Sequence, residues 1–229
     1  MTLRPLKLLS SMAAREVLAE LVRGFSAQSG LPVTAEAAGG VEVAKRVQAG
    51  EDADVVVLAD TAIDKLIAAG QLRAGRVDLV KSGVAIAVRS GAGRPDVSTE
   101  AAVKAAVSAA TSLSYSTGPS GVYLEKLFER WGILDAIRSR IVVPPPGVPV
   151  ASLVAAGQAA LGFQQLSELL NVAGIEVLGP LPAAIQTITT FSAGISVRCE
   201  QPQVAMQLLD YMRLPAATLV KQRYGLEPA

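Results

Sequence analysis

Histidine is absent from the sequence, and cysteine occurs only once, as Cys199. Without histidine the protein lacks the commonest metal ligand, the commonest general base and any serine–histidine or cysteine–histidine nucleophile pair. A lone cysteine excludes an intramolecular disulfide and a cysteine cluster for zinc or iron–sulfur. We therefore expect no metal site and no cofactor, and we expect Cys199 to be a small, semi-buried residue after a strand.

Aromatic residues and charge of one sign are also scarce. Aromatics make up 4% of the 229 residues, and 21 Lys and Arg nearly cancel 20 Asp and Glu, which leaves a net charge of +1. The chain has neither the basic field nor the stacking surfaces by which proteins bind nucleic acid, so we expect no such partner. We also expect no membrane span, because no apolar run approaches roughly 20 residues.

The amino-terminal segment does not have the pattern of an export signal. Its apolar run LKLLSSMAA contains Lys7 and leads into Arg15 and Glu16 rather than into a cleavage site. As written, the sequence predicts a cytoplasmic protein. It would be periplasmic, with the permease of an ABC transporter as a partner, only if a signal peptide had been removed.

Short apolar runs alternate with stretches of helical period along the chain. This alternation is typical of an α/β protein with a largely parallel sheet, and the length favours two lobes. The runs VVVLA and VAIAV lack polar alternation, which indicates burial on both faces. We predict strands in LKLLSS, VTAEA, DVVVLAD, VAIAVR, SLSYS, RIVVP, LGFQQ and IEVLG, and helices over 12–29, 41–49, 60–70, 98–109, 119–131, 149–157 and 201–212.

The segment STGPSGVYLEKLFERWGI, residues 116–133, joins a small polar turn to an apolar helical stripe. The stripe predicts a buried helix face. The turn predicts a helix start with bare backbone N–H groups and hydroxyls, which attracts anions. An ordinary capped helix with nothing bound is the alternative. The candidate ligand residues of this turn are Ser116, Thr117, Gly118, Ser120 and Gly121.

Similar turns follow other predicted strands, and ligands of open α/β sheets gather at the carboxyl ends of strands. Amides and hydroxyls with no carboxylate in the turn itself indicate an anion site. ATP and dinucleotides are not expected, because GPSG is not followed by Lys-Ser or Lys-Thr and AGGVEV lacks a third glycine. The further candidates are Ser10, Ser11, Met12, Gly39, Gly40, Val41, Gly147, Val148, Gln164 and Gln165.

Several stretches together resemble the molybdate-binding type of periplasmic substrate-binding proteins over essentially the whole chain. They are LLSSMAAREVLAEL, AAGGVEVAKRVQAGEDADVVVLAD, TGPSGVYLEKLFERWGILD, ALGFQQLSEL and the ending from FSAGISV to YGLEP. The resemblance implies a type II periplasmic-binding-protein fold, with two lobes of mostly parallel sheet flanked by helices and two crossover strands. Lobe one would be 1–88 with 188–229, lobe two 89–187, and a small anionic ligand would bind in the cleft between them.

The resemblance also implies site residues. Members of this family contact an oxyanion through a serine after each of the first two strands, through backbone N–H groups at two later turns and through a tyrosine. Ser10 or Ser11 matches the first serine in this sequence. Ser120 lies at the first of the two later turns. Gly147 or Val148 lies at the second and would supply main chain only.

Two positions depart from the family pattern. Gly39–Gly40 stands at the second serine, and Gln165 stands at the tyrosine. These changes remove hydroxyl donors and add space and an amide that both donates and accepts, which favours a planar organic di- or tricarboxylate over molybdate. We therefore predict a binding protein for such an anion. The resembling family also includes an aconitate isomerase, so the alternative is an enzyme that shifts an allylic proton on a tricarboxylate.

Proton transfer without histidine would require another side chain with a tuned pKa. Ser11, Tyr115 and Lys45 are the candidates, with Tyr123 as a further one. Core packing is the alternative for both tyrosines, and solvent exposure is the alternative for the lysine. Glu168 is expected to cap or solvate its helix start. Arginines that could pair with substrate carboxylates, or simply be solvated, are Arg15, Arg46 and Arg89.

Overall fold

The computed structural model describes residues 4–145 and 147–229. The chain forms two compact units, one made of the residues up to Ser82 together with Thr190–Ala229, the other of Gly83–Thr189. The chain thus passes between units at 82/83 and 189/190, where the sequence-based bounds placed the crossings at 88/89 and 187/188. In the described part of the chain, no helix is both long and apolar enough to cross a membrane.

The elements alternate along the chain as the sequence predicted. The strands are β1 (Leu6–Ser11), β2 (Val33–Ala38), β3 (Val55–Ala59), β4 (Val77–Arg89), β5 (Leu113–Tyr115), β6 (Leu161–Gln165), β7 (Ile175–Pro180), β8 (Ile188–Ile195) and β9 (Glu227–Pro228). The helices are α1 (Arg15–Ser29), α2 (Gly40–Gln48), α3 (Asp60–Ala68), α4 (Glu100–Ala109), α5 (Pro119–Arg130), α6 (Leu134–Ile137), α7 (Val150–Ala155), α8 (Leu166–Leu169), α9 (Pro202–Arg213) and α10 (Ala216–Arg223).

The first unit is built on a sheet with the strand order β2-β1-β3-β8-β4. Strand β1 lies between β2 and β3 and is parallel to both, with Ser11 opposite Ala38 and Ser10 opposite Val57. Strand β8 runs antiparallel to β3. Because β1, β2 and β3 are parallel, their carboxyl ends share one edge of the sheet.

Both faces of this sheet are covered by apolar side chains. On one face, Val55 and Val57 of β3 belong to a buried cluster with residues of α1 and α9, such as Phe25 and Leu208. On the other face, Leu58 packs in a second cluster with residues of α2 and α3. Every residue of β3 is buried, which confirms the prediction from its unbroken apolar run. Each fully buried aliphatic side chain contributes about 1.5–3 kcal/mol.

The second unit contains β5 and β6 as parallel neighbours, with β6 antiparallel to β4 and β4 antiparallel to β7. Its core is centred on Phe128 of α5, whose ring packs against Tyr115, Trp131 and Phe163 at centroid distances of 5.9, 5.8 and 6.1 Å. The apolar stripe of α5 therefore faces the core, as predicted. The α/β fold class is confirmed, with helices around a mixed sheet.

The run RIVVP is the clearest error among the predicted elements. It forms only an isolated bridge between Ile141 and Leu113 rather than a strand. Prolines follow at once in the sequence, and a proline lacks the N–H that a strand ladder needs. Helix α1 also starts later than predicted, at Arg15, because Met12–Ala14 form a 3-10 turn.

Candidate functional site

The first unit brings two of the predicted ligand turns together at the carboxyl ends of β1 and β2. Ser10 and Ser11 end β1, and Met12 follows them. Gly39 and Gly40 begin α2, with Val41 after them. A Cβ atom placed on Gly40 would lie 3.6 Å from the Cβ of Ser11, so the two turns touch. We call this pair of turns the first edge: Ser10, Ser11, Met12, Gly39, Gly40 and Val41.

Ser11 carries a buried hydroxyl with no hydrogen-bond partner in the described chain. The residue is only 6% exposed, and its neighbour Ser10 only 2%. A buried polar group without a partner costs about 1–3 kcal/mol, so such a group calls for an explanation. A ligand oxygen that accepts from this hydroxyl would remove the cost.

The start of α2 adds backbone donors beside Ser11. The helix is nine residues long, and its N-cap residue, Gly39, has no side chain that could cap it. The first intrahelical bond of this turn runs from the amide of Val43 to the carbonyl of Gly39, at 2.9 Å. The amides that precede Val43 have no acceptor within the helix, and they lie at the positive end of the helix dipole. The first edge therefore combines a hydroxyl and helix-end amides, which suit an anion.

Two of the three arginines predicted to pair with substrate carboxylates are engaged by protein carboxylates. Arg15 pairs with Glu16 at 2.7 Å. Arg46 pairs with Glu36 at 2.5 Å and with Glu51 at 2.6 Å. Hydrogen bonds from Arg46 lower the pKa of Glu51 to about 2. Anion binding at the first edge would thus depend on neutral donors rather than on these guanidinium groups.

Two other predicted cations lie away from the strand ends that form the candidate site. Lys45 is exposed in the last turn of α2, about 7.5 Å along the helix axis from Gly40 at 1.5 Å per residue. Arg89 ends β4, whereas Val84, near the middle of that strand, is the residue paired with Gln165. Since β4 and β6 are antiparallel, Arg89 lies toward the amino end of β6. The structure does not bring either side chain to a predicted ligand turn of its own unit.

The second unit has its own set of predicted ligand residues at the carboxyl ends of β5 and β6. In the turn after β5, the hydroxyls of Ser116 and Ser120 are hydrogen-bonded to each other at 3.0 Å. The amide of Gly121 donates to the carbonyl of Gly118, and Thr117 is exposed. A Cβ on Gly121 would lie 1.6 Å from the carbonyl oxygen of Ser116, so only glycine fits there. This turn is closely packed against its own helix.

The two glutamines at the end of β6 bond to the protein. Gln164 accepts at Oε1 from the amide of Ala151 (3.2 Å) and donates from Nε2 to Glu168 Oε1 (2.8 Å). Gln165 donates from Nε2 to Thr189 Oγ1 at 2.9 Å. We call this set, with the turn after β5, the second edge: Tyr115 to Gly121, Gln164, Gln165 and Glu168.

In the turn before α7, a backbone donor is also hydrogen-bonded within the turn. Gly147 takes the left-handed conformation with φ of 75°, and the amide of Val148 donates to the carbonyl of Pro145 at 3.0 Å. The Val148 amide, which we expected to contact a ligand, is therefore already bonded within the turn. The amide of Ala151, in the first turn of α7, is likewise bonded by Gln164.

Neither tyrosine proposed for proton transfer has the environment of a base. The ring of Tyr115 packs edge-on against Phe128, and burial raises the pKa of its phenol above the usual 10. The hydroxyl of Tyr123 donates to the carbonyl of Ile185 at 2.8 Å. Core packing, the alternative reading of both residues, describes these positions well.

Two carboxylates follow strands β3 and β6, Asp60 and Glu168, and neither was a predicted site residue. Asp60 directly follows β3, the parallel neighbour of β1, and accepts from the amide of Thr61 at 2.6 Å. Its position right after the buried run VVVLA was the available signal. Glu168, expected to cap or solvate its helix start, lies in the first turn of α8 and accepts from Nε2 of Gln164. Only the tertiary structure reveals that contact.

No metal centre accompanies these groups in residues 4–145 and 147–229, where no cluster of three or more Cys, Asp or Glu residues has a metal-binding arrangement. Cys199 is buried shortly after β8, and burial is the main cause that raises the pKa of its thiol.

Comparisons with known proteins agree with this architecture. A family model described as bacterial extracellular solute-binding protein matches residues 6–227. An aconitate isomerase from a Pseudomonas species is 40% identical over 190 residues, which are 81% of this chain and 71% of that protein.

Solved structures with the same fold are far less similar in sequence. The periplasmic molybdate-binding protein of Azotobacter vinelandii superposes with a TM-score of 0.80 at 22% identity, over 96% of this chain and 98% of that one. The sulfate-binding protein SubI from Mycobacterium tuberculosis gives 0.81 at 12% identity, over 99% and 88%. At these identities the likeness concerns the fold. The matches together confirm the resemblance to molybdate-binding proteins, and the chain belongs to the bacterial extracellular solute-binding protein family.

Proposed function

We propose that this protein binds a tricarboxylate of the aconitate type and isomerises it by an allylic proton shift. The observation that carries the proposal is the 40% identity to an aconitate isomerase, which extends over 81% of this chain. That identity is well above the 22% and 12% shared with the molybdate-binding and sulfate-binding proteins. A relative that differs in chemistry from the rest of a fold family is the better guide when it is also much nearer in sequence.

The first edge supports a carboxylate ligand. Ser11 offers a buried hydroxyl, and the amides at the start of α2 point out of the helix end beside it. A carboxylate has two acceptor oxygens, so one such group can accept from both sources. Gly39 and Gly40 place no side chain beside these donors.

The reaction needs a base and a site for developing charge, and it consumes nothing. The base removes a proton from the methylene carbon between a carboxylate and the double bond, and the C–H electron pair forms the new C=C bond. The electrons of the old C=C bond then take up a proton at its far carbon. Negative charge passes onto the substrate carboxylate between these steps, and fixed hydrogen-bond donors such as Ser11 stabilise it.

A carboxylate side chain is the best candidate for moving the proton. Burial raises the pKa of Tyr115, which disfavours the phenolate form that would act as a base. Asp60 follows β3, the parallel neighbour of β1, and accepts a hydrogen bond from the amide of Thr61. The isosteric change Asp60→Asn removes this carboxylate with little change of shape, so loss of turnover in this variant would identify Asp60 as the base.

Purified protein incubated with cis- or trans-aconitate tests the proposal. We expect the isomer ratio to move toward equilibrium at a rate proportional to protein concentration. Ser11→Ala should slow this by about a hundredfold, in the range found for the loss of one charge-stabilising donor. Unchanged isomer ratios at high protein concentration would overturn the proposal.

A receptor without catalytic activity is the second candidate, and the match to the solute-binding family model favours it. Such a receptor would deliver its ligand to the permease of an ABC transporter outside the cytoplasm, whereas we propose a cytoplasmic location for the isomerase. A ligand at 100 times its dissociation constant should stabilise the protein by about 2.7 kcal/mol. A melting shift with aconitate but no turnover would select the receptor, and a shift with molybdate alone would exclude the carboxylate. Cell fractionation tests the location.

A further inference from the structure

Gly39 is the N-cap residue of α2, a position where glycine is tolerated, and Gly40 is the first residue of the helix, where alanine is the better helix former. A glycine in a helix is usually required by backbone conformation or by close packing. Neither requirement applies here. Gly39 has φ of −56°, and neither Gly39 nor Gly40 is among the residues with positive φ.

Space for a side chain is also present at both positions. A Cβ on Gly40 would lie 3.6 Å from the Cβ of Ser11 and 3.8 Å from Cδ2 of Leu58, which are ordinary van der Waals distances. A Cβ on Gly39 would have its nearest neighbour, the Cβ of Glu42, at 4.0 Å. Alanine would therefore fit at either position without strain.

Other glycines of the chain are required by close packing, because a Cβ atom would clash with a neighbour. A Cβ on Gly24 would lie 2.4 Å from the hydroxyl of Tyr211, and one on Gly162 would lie 2.4 Å from Cγ2 of Val154. A Cβ on Gly121 would lie 1.6 Å from the backbone oxygen of Ser116. Gly40 has no such contact, so the fold itself does not require glycine at this position.

We infer that Gly40 is a specificity-determining residue whose missing side chain admits a ligand carboxylate to the hydroxyl of Ser11. The inference rests on the proposed function for the class of ligand. Its independent support is the Ser11 hydroxyl, which is buried, lacks a partner and belongs to the residue nearest to the vacant Cβ position. A methyl group at position 40 would occupy the space through which a carboxylate reaches that hydroxyl and the first amides of α2.

The test is Gly40→Ala, measured in two ways that should move in opposite directions. The melting temperature of the ligand-free protein should rise by about 1–2 °C, because alanine is the better helix former. The dissociation constant for aconitate should increase at least about tenfold, because the methyl group blocks one carboxylate. A structural role for Gly40 would instead lower the melting temperature and the affinity together, and that result would overturn the inference.

Gly93→Ala is the matched control, because Gly93 does not have positive φ and has no atom within 4 Å of its Cβ position. Neither measurement should change in this variant. Gly40→Ser adds a test of selectivity: binding of aconitate should fall by a larger factor than binding of sulfate or molybdate, which are smaller. Equal losses for the three ligands would contradict a role in selectivity.

The wild-type protein separates failure of this inference from failure of the proposed function. If the wild type converts aconitate and Gly40→Ala binds and converts it equally well, only the inference fails. If the wild type binds another di- or tricarboxylate but neither binds nor converts aconitate, the proposed function fails and the same variants test the inference on that ligand. If the wild type binds no carboxylate, both fail.

Discussion

The first and second edges contain similar residues but use them differently. At the first edge, the Ser11 hydroxyl has no partner and the start of α2 carries two glycines that the backbone does not require. At the second edge, the predicted ligand groups bond to one another: Ser116 to Ser120, and Gln164 to both Ala151 and Glu168. The buried hydroxyl of Ser167, which lies between Gln165 and Glu168 in the sequence, also lacks a partner.

This difference teaches that small polar turns at strand ends do not by themselves make a site. Buried polar groups normally have partners, so satisfied groups can be explained by folding alone. An unsatisfied buried donor next to a glycine that the fold does not require cannot be explained by folding alone. The first edge is therefore the stronger candidate for ligand contact, and the second edge has the features of a fixed framework that holds Glu168 in place.

The largest expected effect comes from Gly121→Ala, which adds a methyl group where the Ser116 carbonyl lies 1.6 Å away. The turn cannot hold both atoms, so we expect a loss of about 4 kcal/mol or more in unfolding free energy, or failure to fold. Urea denaturation measures the loss. A stable Gly121→Ala variant would remove the contrast with Gly40, where the same substitution should be harmless to the fold.

Gln164→Leu tests whether the second edge is a framework. The change removes the side-chain acceptor of the Ala151 amide and the hydrogen bond from Gln164 to Glu168, so we expect a loss of about 2 kcal/mol in unfolding free energy. Gln203→Leu, on an exposed position of α9, is the control and should change stability by less than about 0.5 kcal/mol. Equal stability of the two variants would show that the Gln164 contacts contribute nothing.

At the first edge, Ser11→Ala should change the unfolding free energy in the opposite direction from Gln164→Leu. Removing a buried hydroxyl without a partner should leave the ligand-free protein equally stable or up to about 1 kcal/mol more stable, while the melting shift caused by aconitate disappears. Ser26→Ala is the control, because its hydroxyl also lacks a partner but lies within α1. A ligand response retained in Ser11→Ala and lost in Ser26→Ala would reverse our assignment.

The smallest effect is expected for Tyr115→Phe. The ring keeps its contact with Phe128, so stability should change by less than about 0.5 kcal/mol. Burial raises the pKa of the phenol, so the group stays protonated through pH 9 and should leave no inflection in the rate profile below that pH. A more than tenfold drop in turnover would restore Tyr115 as a proton-transfer residue.

The fold and the first edge were largely predictable from local sequence. Unbroken apolar runs such as VVVLA identified buried strands, and the small residues around Ser11 and Gly40 marked the turns, because hydrophobic period and turn chemistry are encoded in neighbouring residues. The error at RIVVP came from giving an apolar run more weight than the prolines that follow it.

The sequence could not predict which polar groups are already hydrogen-bonded within the protein. The bonds from Val148 to Pro145 and from Ala151 to Gln164 depend on backbone geometry and on contacts between α7 and β6, which the sequence does not display. The same holds for Ser11, whose lack of a partner is a property of its packed surroundings. Sequence thus located the donors, and only the structure distinguished those already bonded.

Proton NMR of aconitate in D2O with wild-type protein and Ser11→Ala tests the central claim most directly. The account predicts that the wild type interconverts the isomers with deuterium entering the carbon that receives the proton, and that Ser11→Ala does so about a hundredfold more slowly. Aconitate that stays unlabelled and unchanged with the wild type, or equal rates for the two proteins, would contradict it.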